Sequence, residues 1–259
     1  MKARGAPRIN QQPAFILHQY PYRETSRLLD VFSRDHGRVM LVARGVQRPG
    51  SQLRSVLLAQ QPLLLDWFGA GEVKTLHAAA WQPGMAQLAG RGLLCGLYAT
   101  ELIQRSMTRE VAHPEVFAAY YRLLLELSRI PHDKPLMLEA ALRRFERALL
   151  ESCGFGIEWG QTSAGEPVLV HKRYAFSLER GVHETLADGA GGAVLLGFSR
   201  EQALDERQMH ELKGFMRDVL AAVLLDDSPL QTRLMMRDLL AIADDASGFG
   251  AGRLVKGTP

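Results

Sequence analysis

Residues 14–81 read AFILHQYPYRETSRLLDVFSRDHGRVMLVARGVQRPGSQLRSVLLAQQPLLLDWFGAGEVKTLHAAAW, and this stretch decides the fold. It holds five short apolar runs: Ala14 to Tyr20, Leu28 to Ser33, Arg38 to Arg44, Leu57 to Phe68 and Glu72 to Trp81. Turn formers separate them, namely Pro21, Asp35-His36-Gly37, Gly45 to Ser51 with its Pro49-Gly50, and Gly69-Ala70-Gly71. Several runs are apolar at every position, as in Val39-Met40-Leu41-Val42. Such strands are buried on more than one side. Five strands of this kind in so short a segment predict a closed five-stranded barrel of the OB-fold type.

Outward from the barrel, the pattern changes at Gln82-Pro83-Gly84, where a period of two gives way to one near 3.6. Residues 88–107 carry Leu93, Leu94, Leu97, Tyr98, Leu102 and Ile103 at helical spacing, and Gly90, Gly92 and Gly96 allow close helix packing. Pro114 opens a second helix with Val116, Phe117, Tyr120, Tyr121, Leu124 and Leu127 on one face. A third follows Pro135 and ends at Gly154. From 155 to 197 the helical pattern lapses, and Val168-Leu169-Val170 with Tyr174-Ala175-Phe176 reads as a small hairpin. Ser199 with Gln202 reads as the capping box of a helix from Arg200 to about Leu225, and Pro229 opens a last helix reaching about Ala243. The fold class is α+β: an OB-fold barrel over residues 1–82, a mainly helical domain over 83–246 with a β insertion near 155–197, and a flexible tail over 247–259. Residues 1–13, polar with Pro7 and Pro13, read as a flexible arm.

Charge is distributed unevenly. Residues 1–82 hold eleven Lys and Arg against five Asp and Glu, a net +6, whereas the whole chain carries only +3. A basic front on a mildly acidic body points to a polyanion, nucleic acid first and an anionic membrane second, although a merely solvated surface has the same composition. Candidate contacts are Arg23, Arg27, Arg34, Arg38, Arg44, Arg48, Arg54 and Lys74, near turns and strand ends. Tyr20, Tyr22 and Phe32 are candidate stacking residues, Phe32 with a competing place in the core.

Other chemistry is missing. Cys95 and Cys153 are the only cysteines and are far apart, so neither a disulfide framework nor a cysteine zinc site is indicated. The eight histidines are scattered without ligand spacing, and no nucleophile elbow, HExxH or EF-hand pattern occurs. Gly189-Ala190-Gly191-Gly192 lacks the Lys-Ser/Thr of a phosphate-binding loop. The expectation is a cytoplasmic non-enzyme without cofactor, with no apolar run of the ~18 residues a membrane span needs.

The segments AFILHQYPYRETSRLLDVFSRDHGRVMLVARGVQR, GAGEVKTL, GLYATELIQR and ALRRFERALLESCGFG, in that order, resemble the RecO family of bacterial DNA repair proteins. The resemblance runs from about residue 14 to 240. It implies a recombination mediator that binds single- and double-stranded DNA, anneals complementary strands and acts with RecR. It also implies loading of RecA onto DNA coated by single-strand-binding protein, in the cytoplasm at the nucleoid. Many members carry a four-cysteine zinc module after the third helix; residues 155–197 contain no cysteine, so this chain resembles the zinc-free branch and no metal is expected. The acidic, apolar-ended tail of single-strand-binding protein is then a further partner. Leu142, Phe145, Arg143 and Arg144 on the third helix are candidates to receive it, against the plainer reading of Glu139–Arg143 and Arg147–Glu151 as surface ion pairs. Readings in other classes are an RNA-binding OB module and a protein-interaction scaffold.

Overall fold

A computed structural model describes residues 7–131, 133–224 and 229–238. Its first strand, β1 (Arg8–Tyr22), serves two partners. The half from Ala14 onward pairs antiparallel with β2 (Ser26–Ser33), and the half before it with β4 (Leu63–Phe68). Register shifts between Ile9 and Gln12 and between Ile16 and His18 let the strand bend round the barrel. β3 (Gly37–Ala43) pairs with β2 and, in parallel, with β5 (Val73–Trp81), which returns antiparallel to β4. The order β1-β2-β3-β5-β4 closes the barrel. Residues 8–13, read from sequence as part of a free arm, are thus strand: the Gln11 N–H donates to Asp66 Oδ1 at 2.6 Å, and Pro13 O accepts from the Arg34 N–H.

The continuous apolar runs have the expected cause. Ala14 and Ile16 point into the barrel with Leu29, Val31, Leu41, Leu65 and Trp67. Phe15, Leu17 and Phe32 point outward and join the core of the helical region. Phe15 lies edge-on to Tyr120 with ring centroids 5.1 Å apart and is wholly buried. Burying such a ring contributes roughly 1.5–3 kcal/mol, so this outer face fastens barrel to helices. The run 57–68 is not one strand: α1 (Gln52–Val56) precedes it, residues 57–62 are irregular, and β4 begins only at Leu63.

The helices are α2 (Gly90–Ser106), α3 (Pro114–Leu127) and α4 (Pro135–Ser152). Both prolines sit in the first turn, where the missing N–H costs nothing. α4 stops where Gly154 takes φ +84° and the Phe155 N–H reaches Leu150 O, a left-handed ending that glycine permits. A three-stranded sheet follows, β6 (Arg173–Ser177) between β7 (Gly181–Thr185) and the two-residue β8 (Ala190–Gly191). Val168 to Val170 is not a strand of it. The Leu169 N–H donates to the Tyr174 hydroxyl and Leu169 O accepts from the Lys172 N–H, so these residues turn into β6 instead of pairing with it.

Two helices follow in place of one: α5 (Gly192–Ser199) and α6 (Glu206–Val223). The capping box is Asp205 with Gln208, while Ser199 ends α5 with its hydroxyl on Leu196 O. Residues 231–238 are helical; the remainder of the helix expected to reach Ala243, and the tail over 247–259, lie outside the described residues.

Candidate nucleic-acid interface

One end of the barrel gathers five of the eight candidate cations. The β1–β2 turn and the loop after β3 meet there, tied by the Gln47 N–H to Thr25 O at 3.0 Å. Arg23 sits in the turn, with its guanidinium 5.3 Å from the Tyr22 ring centroid. Arg27 opens β2 opposite Ala43, so Arg44, one residue on, lies at the same end. Arg27 Nε and Nη2 donate to the Gln47 side-chain carbonyl, both at 3.1 Å. Arg48 lies over Gly45, and Arg54 stands in the last turn of α1, where the helix carbonyls favour a cation. Arg23, Arg44, Arg48 and Arg54 are exposed and Arg27 is half-buried. None of the five is in an ion pair among the described residues. No carboxylate among the described residues lies within ion-pair distance of them, which leaves their charge free to attract a polyanion. Beside them on β1, Tyr20 and Tyr22 are exposed, and Tyr20 packs on His18 with centroids 4.4 Å apart. Phe32, by contrast, is in the core.

Between these side chains lies a recess of about 500 Å³ lined by Gln19, Arg27, Val46, Gln47, Arg54 and Leu57. Gln19 and Gln47 carry no charge, and nothing in the sequence pattern singled them out; only the meeting of β1 with the 45–51 loop makes them wall residues.

The other three cations are elsewhere. Arg34 is exposed and grips Asp35 through two bonds of 2.8 and 2.9 Å, holding that carboxyl below the usual carboxylate range. It borders a second recess of about 570 Å³, between barrel and helices, with Trp81 and Tyr121. Arg38 is placed differently from the other candidates. It is only 9% exposed, paired with Asp30 at 2.7 Å, and its Nη1 donates to Gln104 O and to Met107 O. It locks the end of α2 onto the barrel. Next to it the Glu110 N–H donates to Arg38 O, and Val111 O comes so near Gly37 that a Cβ there would sit 1.9 Å from it. Lys74 belongs to the same seam, bonded to Glu110 and Gly71 O, with Arg109 on Glu72 alongside. Strand-end position identified these residues from sequence, but it could not reveal that residues 104–111 pack over them.

Most of the tail-binding candidates on α4 are also turned inward. Leu142 and Phe145 are buried in the main core, and Arg143 is 6% exposed. Arg143 pairs with Glu146, three residues on, at 2.6 Å and not with Glu139, which binds Lys213. Glu146 has no exposed surface and also accepts from the Tyr98 hydroxyl at 2.7 Å; burial pushes its carboxyl up while Arg143 pulls it down. Only Arg144, paired with Glu126, stays at the surface beside Arg147, whose pairing with Glu151 matches the plainer reading.

Cys95 is buried and Cys153 half-buried, both as free thiols. No group of three or more His, Cys, Asp or Glu among the described residues could hold a metal ion, and no helix there is long and apolar enough to cross a membrane. The small sheet is held by packing: Tyr174, Val182 and Ala190 join the main core.

Two family descriptions match, "Recombination protein O N terminal" over residues 8–83 and "Recombination protein O C terminal" over residues 87–194. The chain is 42% identical over 243 residues to a DNA repair protein RecO of Ralstonia nicotianae, spanning 92% of this chain and 87% of that protein. It is 43% identical over 238 residues to one of Paraburkholderia xenovorans, covering 90% and 78%. A third, from Aromatoleum aromaticum, is 42% identical over 238 residues, covering 90% and 97%.

Proposed function

The chain belongs to the RecO family of DNA repair proteins, and we propose that it is a recombination mediator whose OB-fold barrel holds DNA at the arginine-bearing end. One observation carries this reading: Arg23, Arg27, Arg44, Arg48 and Arg54 converge there without carboxylate partners among the described residues. Cations so placed release the counterions of a phosphate backbone, and that gain does not depend on base identity. Tyr20 and Tyr22 add exposed rings on which bases stack without sequence preference. Annealing needs two strands brought together with their base edges left free. A diffuse basic surface with stacking rings meets that need better than a deep cleft that grips bases.

Family membership extends the proposal to single- and double-stranded DNA as ligands, to joint action with RecR, and to the tail of single-strand-binding protein as a partner. Displacement of that protein then gives RecA its strand. The barrel end leaves the surface of α4, with Arg144 and Arg147, free for protein contacts.

The test is annealing of two complementary oligonucleotides, bare and coated with single-strand-binding protein, by the wild type and by a variant with Arg44, Arg48 and Arg54 changed to Gln. Fast annealing by the wild type and a loss of tenfold or more in the variant is the expected result. Equal rates, or annealing of complementary RNA in preference to DNA, would contradict the reading.

A further inference from the structure

The recess at the basic end has the form of a site for a chain terminus. Its floor is Val46 and Leu57, each 3% exposed and part of the barrel's own core. Its walls come from four successive elements: Gln19 on β1, Arg27 on β2, Gln47 in the loop after β3, and Arg54 on α1. Hydrogen bonds fix three of these walls, Gln19, Gln47 and Arg27, before any ligand arrives. The Gln19 side-chain amide donates to Leu57 O at 2.7 Å, the Gln47 N–H to Thr25 O, and Arg27 to the Gln47 side chain. Preformed walls lower the ordering cost of binding.

Such a recess is blind. A phosphodiester from the interior of a strand can only lie across the mouth, because a floor of core side chains leaves no second route out for its neighbours. A strand end meets no such obstacle. The volume, about 500 Å³, lies in the range of small-ligand sites and accommodates one nucleotide. Its chemistry suits a phosphate, with two guanidiniums in its walls above a floor closed by the barrel core. Arg27 spends two of its five donors on Gln47, and Arg54 spends none on a carboxylate among the described residues. Two neighbouring cations, Arg27 held by Gln47, favour a terminal phosphomonoester, whose second ionisation has a pKa of about 6 and leaves it close to doubly charged at pH 7, over the singly charged internal diester.

We propose that this recess captures the phosphorylated end of a DNA strand, with Arg27 and Arg54 on the phosphomonoester. The inference rests on the barrel end carrying DNA, and adds to it a preference for where on the strand the protein starts. Arg44 lies at the same end but outside the recess, which supplies the control.

The experiment measures binding of one oligonucleotide sequence in three forms, with hydroxyl ends, with a 5′-phosphate and with a 3′-phosphate, and of a deoxynucleoside monophosphate alone. One phosphorylated form should bind about tenfold more tightly than the hydroxyl form, as loss of a charge-assisted contact implies, and far more tightly than the free nucleotide. Arg54→Gln should abolish that difference, while Arg44→Gln weakens all forms alike and preserves it. Equal binding of the three forms by the wild type would overturn the inference and leave DNA binding by the barrel standing. So would a difference that survives Arg54→Gln or disappears in Arg44→Gln, or a free nucleotide that binds as tightly as the phosphorylated strand. No binding of any strand would overturn the barrel reading itself.

Discussion

Arg38→Ala separates charge that holds the fold from charge that meets DNA. Removing the guanidinium leaves Asp30, 2% exposed, without its partner at 2.7 Å. It also strips the Gln104 and Met107 carbonyls, which close the end of α2, of their donor. Breaking a buried pair from one side costs about 3–5 kcal/mol, and the orphaned carbonyls keep the figure from the low end. By contrast Arg34→Ala breaks a pair whose side chains are 51% and 47% exposed and should leave the urea midpoint close to that of the wild type. The assay is urea unfolding followed by tryptophan fluorescence, since Trp67 reports the barrel and Trp159 the helical region. Replacing both partners, as Asp30→Leu with Arg38→Met, should recover most of the loss because no lone charge stays buried. DNA affinity of folded Arg38→Ala should stay within about twofold of wild type. A stability change under about 1 kcal/mol together with weakened DNA binding would refute the assignment and return Arg38 to the interface.

Arg143→Ala should act in the same way on the helical region, costing about 3–5 kcal/mol by stranding the fully buried Glu146, with the loss read as a lower urea midpoint. Glu101 caps the helix at 231–238 by accepting from the Gln231 and Thr232 N–H groups and the Thr232 hydroxyl. Burial works against its carboxylate, but the Thr232 and Gln231 bonds and Arg105 outweigh it and hold the pKa below the ordinary 4.5. A depressed carboxyl stabilises docking above pH 4.5 and loses that contribution as pH falls through the lower folded value. Protection against hydrogen exchange at 231–238, taken relative to the intrinsic rate at each pH, should therefore fall below pH 4.5 in the wild type, and at neutral pH in Glu101→Gln. Burial pushes the Cys95 thiol up to about 11 and raises that of Cys153 too. Thiol reagent at pH 8 should modify Cys95 only after denaturant is added.

How much was legible in the sequence follows from the range of the forces involved. The barrel could be read because its signal is local: apolar runs such as Ala14 to Leu17 and Val39 to Val42 are buried on both sides, and turn formers lie between them. The first turns at Pro114 and Pro135 and the stop at Gly154 were legible for the same reason. α6 was misplaced because Ser199-x-x-Gln202 and Asp205-x-x-Gln208 satisfy one pattern, and only packing chooses between them. Of the candidate site, the positions near strand ends were legible but their burial was not: Arg38 and Lys74 meet residues 104–110, some 36 to 69 positions away. No local pattern encodes that closure. Arg143 misled for a related reason: it directly follows Leu142 in sequence, which suggested the rim of a stripe, yet Glu146 and Tyr98 draw it inside.

The central claim, that the basic end of the barrel is the DNA interface, is tested most directly by the salt dependence of oligonucleotide binding. The wild type is compared with a variant in which Arg23, Arg27, Arg44, Arg48 and Arg54 are all Gln. Five phosphate contacts give a slope of log K against log salt of about −3.5 for a single strand and about −4.5 for a duplex. The wild type should show slopes of that size for every sequence tried, and the variant a nearly flat profile with its fold intact. A folded variant that keeps both the affinity and the slope would place the interface elsewhere and contradict the account.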